Sequence, residues 1–194
     1  MDRPRIFLLT LLMSAFIGAS CSNSLFKVKP ATELPPLPGN SRTTDAGPVA
    51  FIVAPLLSDE ETQELFEVNL PVAGVLPVRM QMNFQSGAPI ELKRARFKVL
   101  DSQSREWKLL SPKQAVSRIM KANGMTLYNP HAKKQFESDL TAYGLDIKTV
   151  LDSAQPKRSG FLFFQTPDKR AVDSSQKLTL AIERLPQPVT IALN

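Results

Sequence analysis

The chain has 194 residues, of which 43% are hydrophobic and 22% charged, and this composition suits one globular domain with a short appendage. Its sixteen prolines argue against a helix bundle. A single cysteine excludes an internal disulfide framework and any multi-cysteine metal site, and a single histidine, His131, leaves only one imidazole base. We therefore expect no cofactor, no metal site and no enzymatic activity.

The first twenty residues predict a secretory signal peptide. Arg3 and Arg5 precede an apolar stretch from Ile6 to Ile17, and small residues follow it. A helix of this length covers about 18 Å, which is well short of the ~30 Å hydrocarbon core of a bilayer. We expect residues 1–20 to be removed rather than to remain as a membrane span.

Cys21 stands directly after Gly18, Ala19 and Ser20. A lone cysteine at this position resembles the lipobox of bacterial lipoproteins, in which the thiol is diacylated after cleavage. Gly18 occupies the place where the lipobox usually has leucine, and the same bond also suits an ordinary signal peptidase. A free thiol at the mature N-terminus would be open to oxidation, so we favour lipidation of Cys21.

The resemblance to a lipoprotein implies a location in a bacterial cell envelope. Ser22 is not the aspartate that retains Gram-negative lipoproteins in the inner membrane, so we expect a lipid anchor in the outer membrane, facing the periplasm. From Cys21 onward the chain carries a modest positive charge of about +5. Besides the membrane itself, an envelope protein or an anionic polymer is a possible partner, and nucleic acid is not expected.

Composition divides the mature chain into a tether and a domain. Residues 21–47 are polar and rich in proline, without apolar periodicity, and predict an extended flexible tether that follows the lipid attachment site. The domain is predicted to cover residues 48–194. It begins with an apolar strand at Val49 to Ala54, which prolines bound at both ends.

Alternating apolar and polar residues predict antiparallel strands in the domain. The clearest case places Val78, Met80, Met82 and Phe84 on one buried face. Further strands are predicted at 90–100, 106–109, 160–167, 178–182 and 189–193.

Helices are predicted at two places. Ser58 and Glu61 have the spacing of a capping box, which starts a short helix over Asp59 to Phe66. Residues 111–155 form a helical insertion, with helices from Ser111-Pro112 to Asn123, from Pro130 to Tyr143, and from Asp146 to Ser153. The apolar faces of this insertion either pack on the sheet or dock a partner.

Four segments carry a resemblance to a group of uncharacterised bacterial lipoproteins with one immunoglobulin-like domain. They are Phe66 to Leu70, Gly74 to Val78, Asn83 to Ser86, and Ser159 to Phe164. The resemblance implies a mainly β fold, an immunoglobulin-like antiparallel β-sandwich with a helical insertion. Its motifs are structural, so it implies a binding or structural module of unknown specific role.

The alternative function is a hydrolase of unfamiliar type that uses His131. No Gly-x-Ser-x-Gly turn and no phosphate-binding glycine loop accompany this histidine in the sequence. A pocket that joined His131 to a serine and a carboxylate would favour the enzyme, whereas an open helix start would favour the binding module.

One basic stripe is a candidate contact for anions. Arg94, Arg96 and Lys98 alternate along a predicted strand, which places them on its outer face. They form either an ordinary solvated face or a contact with lipid head groups or an anionic envelope polymer.

Overall fold

The computed structural model of the protein describes residue 26, residues 28–125 and residues 129–194. The predicted signal peptide and Cys21 lie outside these residues. The strands are β1 (Arg42–Ala46), β2 (Val49–Pro55), β3 (Val75–Phe84), β4 (Ile90–Glu91), β5 (Arg96–Leu100), β6 (Glu106–Leu110), β7 (Val150–Leu151), β8 (Lys157–Gln165), β9 (Thr179–Glu183) and β10 (Val189–Ala192). The α-helices are α1 (Asp59–Phe66), α2 (Pro112–Ala122) and α3 (Pro130–Tyr143).

The fold is mainly β, with antiparallel pairing throughout its main sheet. That sheet has eight strands in the order β1-β2-β3-β8-β6-β5-β9-β10, and β4 pairs separately with β7. β6 pairs with β5 through Glu106 and Trp107, and with β8 through residues 108–110. It therefore crosses from one layer to the other. Cα atoms of β1 and β10, the two ends of the order, come within 8 Å of each other, so the sheet curls into a sandwich-like or barrel-like body.

The inner core lies inside the curled sheet. It takes one face of nearly every long strand, and the predicted Val78, Met80 and Met82 face is there, with Phe84 partly buried against it. Its largest side chains include Phe51, Met80, Met82, Trp107 and Phe164. Alternation along the strands thus separates buried from solvated residues, as the sequence predicts.

The outer core lies between the sheet and the helices. On β8, Leu162 and Phe164 belong to the inner core, whereas Phe161 and Phe163 belong to the outer core. This explains why β8 reads as a continuous apolar run rather than an alternating one. The helices contribute further fully buried residues to the outer core, namely Phe66, Val116, Ile119, Phe136 and Leu140.

The first two segments of the insertion are helical as predicted. The capping boxes at Ser58 and Ser111 are both present, and Asn129 caps α3. The apolar faces of α2 and α3 are buried in the outer core. Packing therefore uses the apolar surface that a docking partner would have needed. None of the described helices is long and apolar enough to cross a bilayer.

The predicted third helix, from Asp146 to Ser153, is wrong. Asp146 Oδ1 accepts a hydrogen bond from Lys148 N, which closes a turn, and Val150-Leu151 then forms β7 against β4. The predicted strand at 90–100 is also interrupted, because residues 92–94 form a 3-10 helix between β4 and β5. In the predicted third helix, the hydrogen bond between Lys148 N and Asp146 Oδ1 favours a turn and the β-branched Val150 favours a strand. Together they outweigh the weak helical periodicity of this segment.

In the part of residues 21–47 that the structure describes, the chain is not a free tether. Arg42–Ala46 forms β1 and pairs with β2, so the predicted domain start at residue 48 lies inside a hairpin. Earlier residues also contact the domain: Val28 and Leu34 pack against the outer core. The Nη1 of Arg79 donates to Pro35 O at 2.6 Å. This N-terminal segment contacts residues that lie far along the chain. Its own composition therefore does not predict these contacts.

Candidate functional site

An apolar cavity of about 580 Å³ opens beside the helices, on the side of the sheet formed by β6 and β8. Its walls come from the start of α2, the end of α3, the loop 144–148 and the two strands. Leu110, Leu145 and Leu162 line it, together with the half-buried Leu109 and Ile147. This volume falls within the range of about 300–1,000 Å³ that is common for small-molecule sites.

The loop wall of the cavity is fixed by backbone contacts with β8. Leu145 N donates to Phe161 O at 2.9 Å, and Gly144 forms a parallel bridge with Phe161. The close approach depends on Gly160, where an added Cβ would lie 2.6 Å from both the N and the Cα of Leu145. Gly160 is therefore required at this position for steric reasons.

Beside this cavity, β5 and β6 diverge and leave a gap. Residues 96–98 of β5 pair only with β9, and residues 108–110 of β6 pair only with β8, so the two strands separate beyond Val99 and Trp107. A second cavity, of about 370 Å³, lies in this gap. Leu109 and Ile147 line both cavities, which therefore adjoin.

The three basic residues of the predicted stripe do not share one strand face. Arg94 lies in the 3-10 helix, where its Nε is 2.7 Å from Glu91 Oε2. Arg96 and Lys98 do lie on β5, and both contact Glu106 on β6, at 3.2 Å and 3.3 Å. The prediction is corrected for Arg94, because the chain turns before β5 begins.

Lys98 is the most enclosed of these cations, with a side chain only 16% exposed. Its Nζ lies 2.9 Å from Glu183 Oε1 on β9, and this hydrogen bond raises the pKa of Lys98 and lowers the pKa of Glu183. Glu183 is 85 positions away in the sequence, so strand alternation alone does not predict the pair. Acidic partners thus neutralise much of the charge that the sequence places on this strand.

His131 lies exposed at the first turn of α3. Its backbone N donates to Asn129 Oδ1 at 2.9 Å, which caps the helix. It does not line either of the two cavities. Over the described ranges, histidine, cysteine, aspartate and glutamate form no group of three that could hold a metal ion.

Asp101 is a buried acidic residue, and its hydrogen bonds hold the turn between β5 and β6. Its side chain is 0% exposed and accepts from the backbone N of Gln103 and Arg105, from Arg105 Nε and from Trp107 Nε1. Burial by itself raises the pKa of Asp101, but these hydrogen bonds outweigh burial and leave the pKa below its ordinary value. This network stabilises the turn and offers no free acid for catalysis.

The sequence predicts no site among the residues that form the larger cavity. Leu109 is part of a predicted strand, and Ile147 and Lys148 are part of a predicted helix that does not form. Comparisons of the chain with protein-family models, with curated proteins and with solved structures find no match. The geometry of the chain itself therefore has to support any proposal about function.

Proposed function

We propose that the protein is a lipid-anchored module of a bacterial cell envelope that binds a ligand without catalysis. The binding part of this proposal is carried by one observation, the apolar cavity between the helices and the β6–β8 side of the sheet. The anchor is supported by the sequence, where the lone Cys21 follows an apolar stretch too short to span a bilayer.

The contacts of Phe26 and Lys29 with the helices limit how far the domain can lie from such an anchor. The rings of Phe26 and Phe136 are tilted against each other with centroids 4.9 Å apart, and Lys29 Nζ pairs with Glu64 at 3.0 Å. Only five residue steps separate Cys21 from Phe26, and they reach at most about 18 Å. A diacylated Cys21 would therefore hold the helical side of the domain close to the lipid surface.

We also propose that the body belongs with immunoglobulin-like sandwiches. Two antiparallel layers around a core that includes a buried Trp107 support this relation. A sandwich has two separate sheets. Here β6 pairs with strands of both layers and joins them into one strand order, which differs from that arrangement. β6 is also the strand that contributes residues to both cavities.

The anchor is tested by expressing the full chain in a Gram-negative bacterium and measuring the mass of the mature protein. We expect an N-terminus at Cys21 that carries acyl mass, and recovery with outer membranes. Cys21→Ser should abolish the added mass, and Ser22→Asp should shift the protein to the inner membrane. A mature chain that lacks acyl mass, or one that retains residues 1–20, would reject the anchor.

A further inference from the structure

The rim of the two adjoining cavities carries cations without partners. Lys148 lines the larger cavity and Lys108 lines the smaller one. Among the residues that the structure describes, neither ammonium group has an ion pair or a side-chain hydrogen bond, unlike Arg96, whose partner is Glu106. The apolar walls thus end beside two lysines whose ammonium groups are not engaged in ion pairs with any described residue.

The rim also carries two carboxylates. Glu106 contacts both Arg96 and Lys98, whereas Asp146 accepts a hydrogen bond from the backbone N of Lys148 and keeps its negative charge. The three cations that line the cavities, Arg96, Lys108 and Lys148, exceed the two carboxylates by one charge, so an anion near Lys108 and Lys148 meets a net positive environment. A ligand with an apolar body and one anionic end would complement both the walls and the rim.

We infer that the cavity binds a single-chain anionic amphiphile, a long-chain fatty carboxylate, with its hydrocarbon chain between Leu109, Ile147 and Leu162 and its carboxylate beside Lys108 and Lys148. This inference rests on the proposed function and names the ligand class of that binding site. Burying the hydrocarbon chain removes its methylene groups from water, whereas the carboxylate stays in a solvent-exposed, cationic rim. The two ends of the ligand are thus recognised by different physical effects.

The direction of the N-terminal segment favours a free amphiphile over a lipid still in the membrane. Lys29 lies at Tyr143 near the end of α3, and Phe26 lies at Phe136, closer to the start of that helix. Between Lys29 and Phe26 the segment therefore leads away from the cavity, which adjoins Thr141 and Gly144 at the end of α3.

Oleate is the probe for this inference, titrated calorimetrically below its micelle concentration into the full chain carrying Cys21→Ser. This variant cannot be acylated, so failure to bind oleate and failure of the lipid anchor are separate results. We expect one oleate per chain. Oleyl alcohol, with the same chain and no charge, should bind about tenfold more weakly.

Two sets of substitutions locate the site. Ile147→Glu places a carboxylate inside the cavity and should weaken oleate binding more than tenfold. Lys108→Glu with Lys148→Glu should weaken it about tenfold, whereas the control pair Lys134→Glu with Lys157→Glu, also exposed, should leave it unchanged. If Ile147→Glu does not fold, the exposed lysine pair still decides the result.

Four results would overturn the inference. They are no binding of oleate, equal binding of oleyl alcohol, equal weakening by the control pair, and binding that the folded Ile147→Glu variant retains. Binding only to vesicles that contain phosphatidylglycerol, without binding of free oleate, would also overturn it and would indicate a membrane-contacting surface instead.

Discussion

The two cores of the protein are built in different ways. The inner core collects residues from Ala46 to Leu193, and each strand contributes one alternate face to it. The outer core depends on a single sheet face covered by three helices and by part of the N-terminal segment. β8 supplies aromatic residues to both cores, so it is the structural link between them. Because each core has its own set of contacts, we expect the outer core to loosen while the inner core stays closed.

The largest expected effect is in the outer core. Phe66 is fully buried and lies 5.5, 5.6 and 6.2 Å from the ring centroids of Tyr143, Phe161 and Phe163. Phe66→Ala should lower the free energy of unfolding by about 3–5 kcal/mol, because it removes apolar contact and leaves a cavity. Urea denaturation measures this loss.

Hydrogen exchange of the same variant tests whether the two cores are independent. We expect amide protection to fall first in α1–α3 and to persist in β9 and β10. The matched inner-core variant, Phe51→Ala, should lower protection across the main sheet. Identical exchange patterns for the two variants would show that the cores open as one unit.

The next effect is expected at the contact between β8 and the cavity loop. Gly160→Ala should cost about 1–3 kcal/mol, because the new methyl group would meet the backbone of Leu145 at 2.6 Å and push the loop away. Thermal unfolding provides the measurement. Gly39→Ala is the control, since an added Cβ there meets nothing within 4 Å. Equal stability of the two variants would contradict the close approach.

The Asp101 network is expected to make the inner layer sensitive to acid. Because the pKa of Asp101 is lower in the folded chain than its ordinary 3.8, its contribution is complete above that value and is lost as the pH falls through the folded pKa. Asp101→Asn should cost about 1–3 kcal/mol at pH 7, since the amide cannot accept all of the buried donors.

The check on Asp101 is a series of urea titrations from pH 7 to pH 2. The difference between the native chain and Asp101→Asn should shrink once the pH falls below 3.8. A difference that stayed constant down to pH 2 would assign the loss to packing rather than to the carboxylate.

A smaller effect is expected at the start of α2. Ser111→Ala should destabilise the protein by about 1 kcal/mol, because Ser111 Oγ accepts from Gln114 N and the Gln114 side chain accepts from Ser111 N. Ser117→Ala, at an exposed position inside the same helix, should have little effect. Chemical denaturation of both variants compares a cap with a simple surface change.

The smallest effect is expected where the N-terminal segment meets α1. The ion pair between Lys29 and Glu64 is exposed, so a double-mutant cycle with Lys29→Met and Glu64→Gln should give a coupling of about 0.2–1 kcal/mol. This coupling should decline as salt is added. A coupling above this range would mean that the segment is held to the outer core mainly by charge.

Much of the local structure is predictable from neighbouring residues. The capping box at Ser58 and the N-cap Ser111 followed by Pro112 start α1 and α2, and alternation identifies the inner face of β3. These signals are readable because they depend on residues a few positions apart, where hydrogen bonds and side-chain periodicity act locally.

The remaining features depend on contacts between residues that are far apart in the chain. The pairing of β1 with β2 and the packing of residues 28–36 replace much of the predicted tether, and Glu183 contacts Lys98 from a neighbouring strand. Gly160 admits the loop that carries Ile147 and Lys148 and forms one wall of the larger cavity, and the smaller cavity lies where β5 and β6 diverge. Each of these features joins residues that are distant in sequence, and their contact energies depend on the assembled fold rather than on local propensity.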